Sequence, residues 1–252
     1  MGQVILLIDI GNSRIKWARA EQGRVGAPIS APPEAASFEG LGQLPEAPER
    51  VLVSSVAGQR LDAALCSFCE QHWSLRPVFA VSEPERLGLR NAYADHRLLG
   101  VDRWLAMLAA WSRCRSACCV VDAGTALTVD LVDAGGQHLG GYIVPGTRLM
   151  TAALEQRTAD IARHRAAEPG APAGQAAPGR NTADAVAAGS RQAQAGLVRQ
   201  ALEQLGGSAR LFLTGGEAAQ LAPLLAGAEH RAALVLEGLL LQLGASGDDR
   251  DA

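Results

Sequence analysis

Apolar residues in this chain form two kinds of run, and their order predicts the architecture. Short, mainly apolar runs at residues 4–8, 51–55, 118–121 and 211–214 read as strands. Further strands are expected at 15–20, 76–81, 127–132 and 138–144. Apolar spacing of three and four marks helices. In 61–73 it puts Leu61, Leu65, Phe68 and Cys69 on one face. Helices are also predicted at 101–111, 147–164, 182–205, 217–225 and 234–243, with Thr182 as the N-cap of the Ala-rich one. Residues 168–180 are rich in Ala, Pro and Gly and read as a loop.

The polar residues that end two of these runs repeat. Asp9-Ile10-Gly11-Asn12-Ser13 follows the first strand, and Asp122-Ala123-Gly124-Thr125 follows a strand in the second half. Each reads strand, acid, glycine, small polar residue, strand. Glycine permits positive φ and close approach of backbone to a ligand. An acid at a strand end can hold hydrated Mg²⁺, which takes a few carboxylates together with phosphate oxygens. One such triplet marks any hairpin turn. Two at matching places predict a duplicated nucleotide-binding domain. Each half also runs from meander to strand–helix alternation. The expected fold class is therefore α/β, with duplicated actin-like (ribonuclease H-like) domains of mixed sheets flanked by helices, at 1–115 and 116–252.

Charge singles out one residue of the first turn. Lys+Arg total 23, and Lys16 is the one lysine. An ammonium is a compact point charge, a guanidinium a planar fork, so a lysine kept here suits a phosphate. A surface lysine left by drift is the plainer alternative. A net charge of −3 argues against nucleic acid as the main partner. No apolar run reaches membrane-spanning length. Five cysteines, an odd set, and no visible secretory signal fit a reducing cytoplasm. Cys66, Cys69 and His72 have metal-like spacing but no second ligand pair, so they read as core.

Four other segments can carry chemistry. Thr214-Gly215-Gly216 lies between a strand and a predicted helix, where backbone amides can meet phosphate or a polar ring edge. The run from Gly140 to Gly146 has backbone-permissive sites around a strand, and hairpin geometry accounts for it equally. Gly100-Val101-Asp102-Arg103 opens a helix, where Asp102 can be a cap or a base. Asn91-Ala92-Tyr93 lies just upstream, with Tyr93 as substrate wall or core.

In this order the segments resemble the type III pantothenate kinases of the acetate/sugar kinase, heat-shock and actin superfamily. The resemblance runs from Asp9 to the closing Leu234-Val235-Leu236-Glu237-Gly238-Leu239. Asp9 to Lys16 is similar to the family's first phosphate motif, with Ser13 where many members have threonine. Asn91, Tyr93 and Gly100 to Arg103 resemble its pantothenate motif. Asp122 to Thr125 resembles the second phosphate motif, Thr214 to Gly216 the adenosine motif, and Asn181-Thr182 a further family segment. The resemblance implies a homodimer that phosphorylates pantothenate to 4′-phosphopantothenate with ATP, Mg²⁺ and a monovalent cation, K⁺ or NH₄⁺. It implies Asp102 as base, with Tyr93, Gly100, Arg103 and Thr182 at pantothenate. It places Gly11, Asn12, Ser13, Lys16, Gly124, Thr125, Thr214, Gly215 and Gly216 at ATP, Asp9 at Mg²⁺ and Asp122 at the monovalent cation. A kinase for another small alcohol, or a non-catalytic nucleotide-binding regulator, are the alternatives. Asn91-Ala92-Tyr93 with Gly-x-Asp-Arg speaks against the first, and the acidic charge with Asp102 against the second.

Overall fold

Apolar side chains on both faces make Ile5–Ile10 (β1) a central strand, and each of its residues is buried. The structure, a computed structural model, describes residues 4–157, 177–206 and 208–243. β1 pairs antiparallel with Ile15–Glu21 (β2), which turns back through Arg24–Val25 (β3) and also pairs with Ile29–Ala31 (β4). On its other side β1 pairs parallel with Arg50–Ser55 (β5), and β5 with Val78–Phe79 (β6). The sheet order is β3-β2-β1-β5-β6. Gln59–Trp73 (α1) makes the β5-to-β6 crossover and buries Leu61, Leu65 and Cys69. The expected 76–81 strand shortens to β6, since Pro77 has no N–H to give a ladder. Sequence reasoning missed the hairpin Glu85–Arg86 (β7) to Leu89–Arg90 (β8). Its turn puts both Leu87 and Gly88 at positive φ (51° and 76°), and leucine is a poor advertisement for that.

The second sheet repeats the five-strand plan without a counterpart of β4. Cys118–Ala123 (β9) is central, antiparallel to Ala126–Val132 (β10), which pairs with His138–Pro145 (β11). On its other side β9 pairs parallel with Arg210–Thr214 (β12), and β12 with Ala228–His230 (β13). The order is β11-β10-β9-β12-β13. Its core joins Val121, Val129 and Leu213 to Ala195 and Val198 of the long helix Thr182–Gln204 (α4).

Val101–Cys114 (α2) is buried along most of its length, and Thr147–Arg157 (α3) follows β11. The rest of the expected 147–164 helix, and most of the 168–180 loop, lie outside the described residues. The expected 217–225 helix is one α-turn, Ala218–Leu221 (α5), then a 3₁₀ turn at Ala222–Leu224, because Pro223 lacks the donor an α-helix needs. The N-cap of α4 is Asn181 rather than Thr182, since Asn181 Oδ1 accepts the Asp184 amide at 2.8 Å.

Contacts divide the chain into two compact units. Residues up to Arg113 join those from Ala233 onward, and Cys114–Ala232 form the other unit. This differs from a linear division at 115. Leu234–Leu243 (α6) is apolar nearly all round and packs on β1 and β5 of the first unit.

Candidate active site

Asp9 and Asp122 hold the same position in their sheets, next to the last residue of the central strand. Asp9 stands beside Lys16 of β2 and Ser54 of β5, whereas Asp122 stands beside Thr128 of β10 and Thr214 of β12. Residues in register on neighbouring strands share a sheet face. Asp9, Lys16 and Ser54 therefore form one cluster, and Asp122, Thr128 and Thr214 another. Ser54 Oγ donates to Asp9 Oδ1 at 3.0 Å, and Asp9 is only 9% exposed. Asn12 and Ser13 lie exposed in the first turn, which closes through Gly11 N–H to the Arg14 carbonyl at 3.0 Å. Gly124 N–H closes the second on the Ala126 carbonyl at the same distance of 3.0 Å, with Thr125 inside the turn. Neither Gly11 nor Gly124 has positive φ, contrary to one reading of the motif. At Gly11 the constraint is space: a Cβ would lie 3.2 Å from the Arg14 oxygen.

Gly215 is where the backbone does need glycine. Its φ is +99°, and a Cβ would run into the Ala123 carbonyl and the Asp122 carboxylate. The adenosine-type turn thus touches the second phosphate-type turn directly. Thr214 is buried beneath it, and Gly216 is exposed. The helix beyond is a single turn, so little helix dipole reaches this turn, contrary to expectation. Thr182 sits apart from these turns in the chain, as the first residue of α4.

The third cluster lies in the first unit. Arg103 is 7% exposed, and its Nη1 donates to the Tyr93 hydroxyl at 3.2 Å. Asn91 Oδ1 accepts the Tyr93 amide at 3.0 Å, while Asn91 Nδ2 donates to the Glu83 carbonyl at 3.2 Å. These bonds hold the tyrosine loop in place. Asp102 Oδ1 accepts the Arg103 amide at 2.8 Å in the first turn of α2. A Cβ at Gly100 would come within 2.7 Å of that carboxylate oxygen. Tyr93, Gly100, Asp102 and Arg103 therefore form one built constellation: a carboxylate fixed by a helix amide, beside a buried guanidinium.

The sequence model of the family described as type III pantothenate kinase matches residues 5–204. The chain belongs to the type III pantothenate kinase family. A type III pantothenate kinase of Pseudomonas aeruginosa (strain LESB58) is 40% identical over 244 residues, covering 94% of this chain and 98% of that protein. One from Marinobacter nauticus is 37% identical over 240 residues, with 94% and 96% covered. Among solved structures, the activator of the 2-hydroxyisocaproyl-CoA dehydratase from Clostridium difficile with bound ADPNP superposes with a TM-score of 0.53 at 11% identity, covering 99% of this chain and 100% of that one. A likeness at that identity shows the shared fold, the duplicated actin-like α/β plan. Family membership makes the chain an enzyme, an ATP-using phosphotransferase.

Two supporting residues escaped sequence reasoning in this pantothenate-kinase relative. Ser54 closes a strand pattern like any other serine, and only the β1–β5 register brings it to Asp9. Glu217, 4% exposed, accepts the Thr147 amide at 3.1 Å and Arg148 Nε at 2.8 Å. Thr147 Oγ1 in turn donates to Gln194 Oε1 at 3.1 Å, and Gln194 Nε2 to the Pro145 carbonyl at 3.0 Å. This network ties the end of the Gly140 to Gly146 segment to the Gly215 turn. An acid directly after Thr-Gly-Gly was the one visible signal.

The cysteines divide by environment. Burial pushes the Cys69 and Cys119 thiols up to about 12, as core residues. Cys66 is exposed, so it is not core as expected, and His72 stacks on Phe68 at 4.0 Å. Among the described residues no group of three or more His, Cys, Asp or Glu could hold a metal ion. Cys114 is held down at about 6, chiefly by a hydrogen bond from the Cys118 thiol.

Proposed function

We propose that this chain transfers the γ-phosphoryl group of ATP to the primary hydroxyl of pantothenate, giving 4′-phosphopantothenate in the first step toward coenzyme A. The constellation of Tyr93, Gly100, Asp102 and Arg103 carries this reading, because a fixed carboxylate beside a buried guanidinium suits an acceptor that brings a hydroxyl and a carboxylate. Arg103 offers its fork to the pantothenate carboxylate, Tyr93 and Gly100 shape the pocket beside it, and Thr182 is a further pantothenate-binding candidate. Asp102 orients the hydroxyl and takes its proton as the oxygen–phosphorus bond forms and the bond to ADP breaks. Gly11, Asn12, Ser13 and Lys16 cradle ATP phosphates in the first unit. Asp122, Gly124 and Thr125 make the second phosphate turn, and Thr214, Gly215 and Gly216 receive the adenosine part.

Mg²⁺ bound with ATP supplies charge neutralisation on the phosphates. The Asp9 carboxylate, held by the Ser54 hydroxyl, is the hard oxygen ligand such an ion takes, directly or through water. A monovalent cation, K⁺ or NH₄⁺, belongs beside Asp122. The working form is a homodimer in the cytoplasm. No helix among the described residues is long and apolar enough to cross a membrane. The Ala-rich face of α4 suits close packing, and symmetric pairs are the commonest oligomer. Light scattering that reports a monomer at assay concentration removes the dimer.

The test is a coupled assay of purified protein with ATP and pantothenate, with the product weighed by mass spectrometry. Pantothenate-dependent ADP release with a phosphorylated product supports the reading. ADP release driven by a sugar or another small alcohol replaces it. Nucleotide binding without turnover on any acceptor leaves a regulatory relative.

A further inference from the structure

Arg191 is in the wrong surroundings for a structural arginine. It lies nine residues into α4 beyond Thr182, about 13 Å along the axis. It is 7% exposed, its Nε is buried with no hydrogen-bond partner, and no ion pair joins it to an acid among the described residues. Buried charges are normally paired, because taking a guanidinium from water without an anion is strongly unfavourable. The neighbouring polar residues on α4 are satisfied: Ser190 Oγ donates to the Val186 carbonyl, and Gln194 bonds Thr147 and Pro145.

Arg191 lines a cavity of about 270 Å³ with Pro178, Gly179, Arg180, Asp184 and Ala188. Asp184, Ala188 and Arg191 follow the i, i+4, i+7 face of the helix. The 177–180 segment forms the opposite wall and lies tight on the first turn, since a Cβ at Gly179 would collide with the Ala185 backbone. Arg180 is exposed at this wall. Asp184 is fastened to the cap, its Oδ2 accepting from Asn181 Nδ2 at 3.0 Å. Among the described lining residues two arginines stand against one acid.

We propose that Arg191 and Arg180 form a binding site for an oxyanion group, phosphate or carboxylate, carried by a small molecule that enters this cavity. A guanidinium fork meets both groups through paired N–H donors, and burial makes that pairing strong. Arg191 is the anchor at the base of the site, and Arg180 closes over the ligand from the 177–180 segment.

Thermal unfolding of the full chain tests this, with inorganic phosphate and acetate titrated separately at matched ionic strength. A Lys16→Ala background weakens phosphate binding at the proposed ATP turn. In it, Tm should rise by about 3 °C or more per tenfold of the recognised anion above its Kd. A response to phosphate alone makes the ligand a phosphate compound; a response to acetate alone makes it a carboxylate. Adding Arg191→Met should abolish the rise, and without anion should leave Tm equal or higher, since a buried unpaired charge is gone. Arg180→Ala, at an exposed position neutral to folding, should move the half-saturating anion concentration upward several-fold. The proposal is overturned if neither anion raises Tm, if the rise survives Arg191→Met, or if Arg180→Ala leaves the midpoint unchanged. It is also overturned if Arg191→Met lowers Tm without anion, because the guanidinium is then already paired, with an acid of this chain or of a second copy.

Discussion

Replacing Asp102 with asparagine isolates the proposed proton transfer. Asp102 Oδ1 accepts the Arg103 amide at 2.8 Å, and an asparagine carbonyl can accept the same bond. The side chain therefore keeps its place and the first turn of α2 keeps its partner. The other arm changes from a carboxylate oxygen to an NH₂ group, so an acceptor becomes a donor. A pantothenate hydroxyl arriving there has nowhere to send its proton. General-base catalysis contributes about 10²- to 10⁴-fold. We expect kcat to fall by about 10²-fold or more, which is about 2.7 kcal/mol of barrier. Pantothenate KM should change far less, because Arg103 stays anchored on Tyr93. The unfolding free energy from urea titration should change by about 1 kcal/mol or less, the worth of one charge at a helix N-terminus. Steady-state curves in both substrates and a urea titration of the same preparation give all three numbers. Near-normal kcat refutes the reasoning and makes Asp122 the next residue to test. Asparagine caps as well as aspartate does, so near-normal kcat with unchanged stability would leave Asp102 a cap.

Lys16→Ala should raise the KM for ATP with the fold intact by circular dichroism, and Lys16→Arg should recover only part of the activity. Full activity in the arginine variant would mean that the point charge is not what the turn selects. Gly215→Ala should destabilise by about 1–3 kcal/mol through positive φ and overpacking, and should weaken ATP use; an unchanged urea midpoint and ATP KM would contradict the contact with Asp122. Cys114 should be the fastest thiol to alkylate at neutral pH, its rate rising through about pH 6, with the rise moving to higher pH in Cys118→Ala. Peptide mapping that shows Cys66 reacting first at pH 7 would refute the pairing.

The local part of this protein was legible in its sequence. Buried central strands are apolar on both faces, so β1 and β9 appear as unbroken runs with an acid at the same place near the end. The duplication followed from those two turns, and two sheets that share a five-strand order, the first with β4 added, embody it. The cluster of Tyr93, Gly100, Asp102 and Arg103 was also visible, because Gly100 to Arg103 is contiguous and Tyr93 lies close by in the chain. What the sequence left open depended on partners distant in the chain. Ser54 reaches Asp9 only through parallel register, and Glu217 becomes a buried hub only when α3 and α4 close over it. The glycines in the two phosphate-type turns looked alike, yet Gly215, from another turn, has the positive φ and touches Asp122. The last helix reads as part of the second half, but its side chains are apolar nearly all round and find their cover on β1 and β5. Periodicity records how much of an element is buried; it does not record against what. That choice belongs to tertiary packing, where burial of apolar area and satisfaction of buried polar groups are decided together.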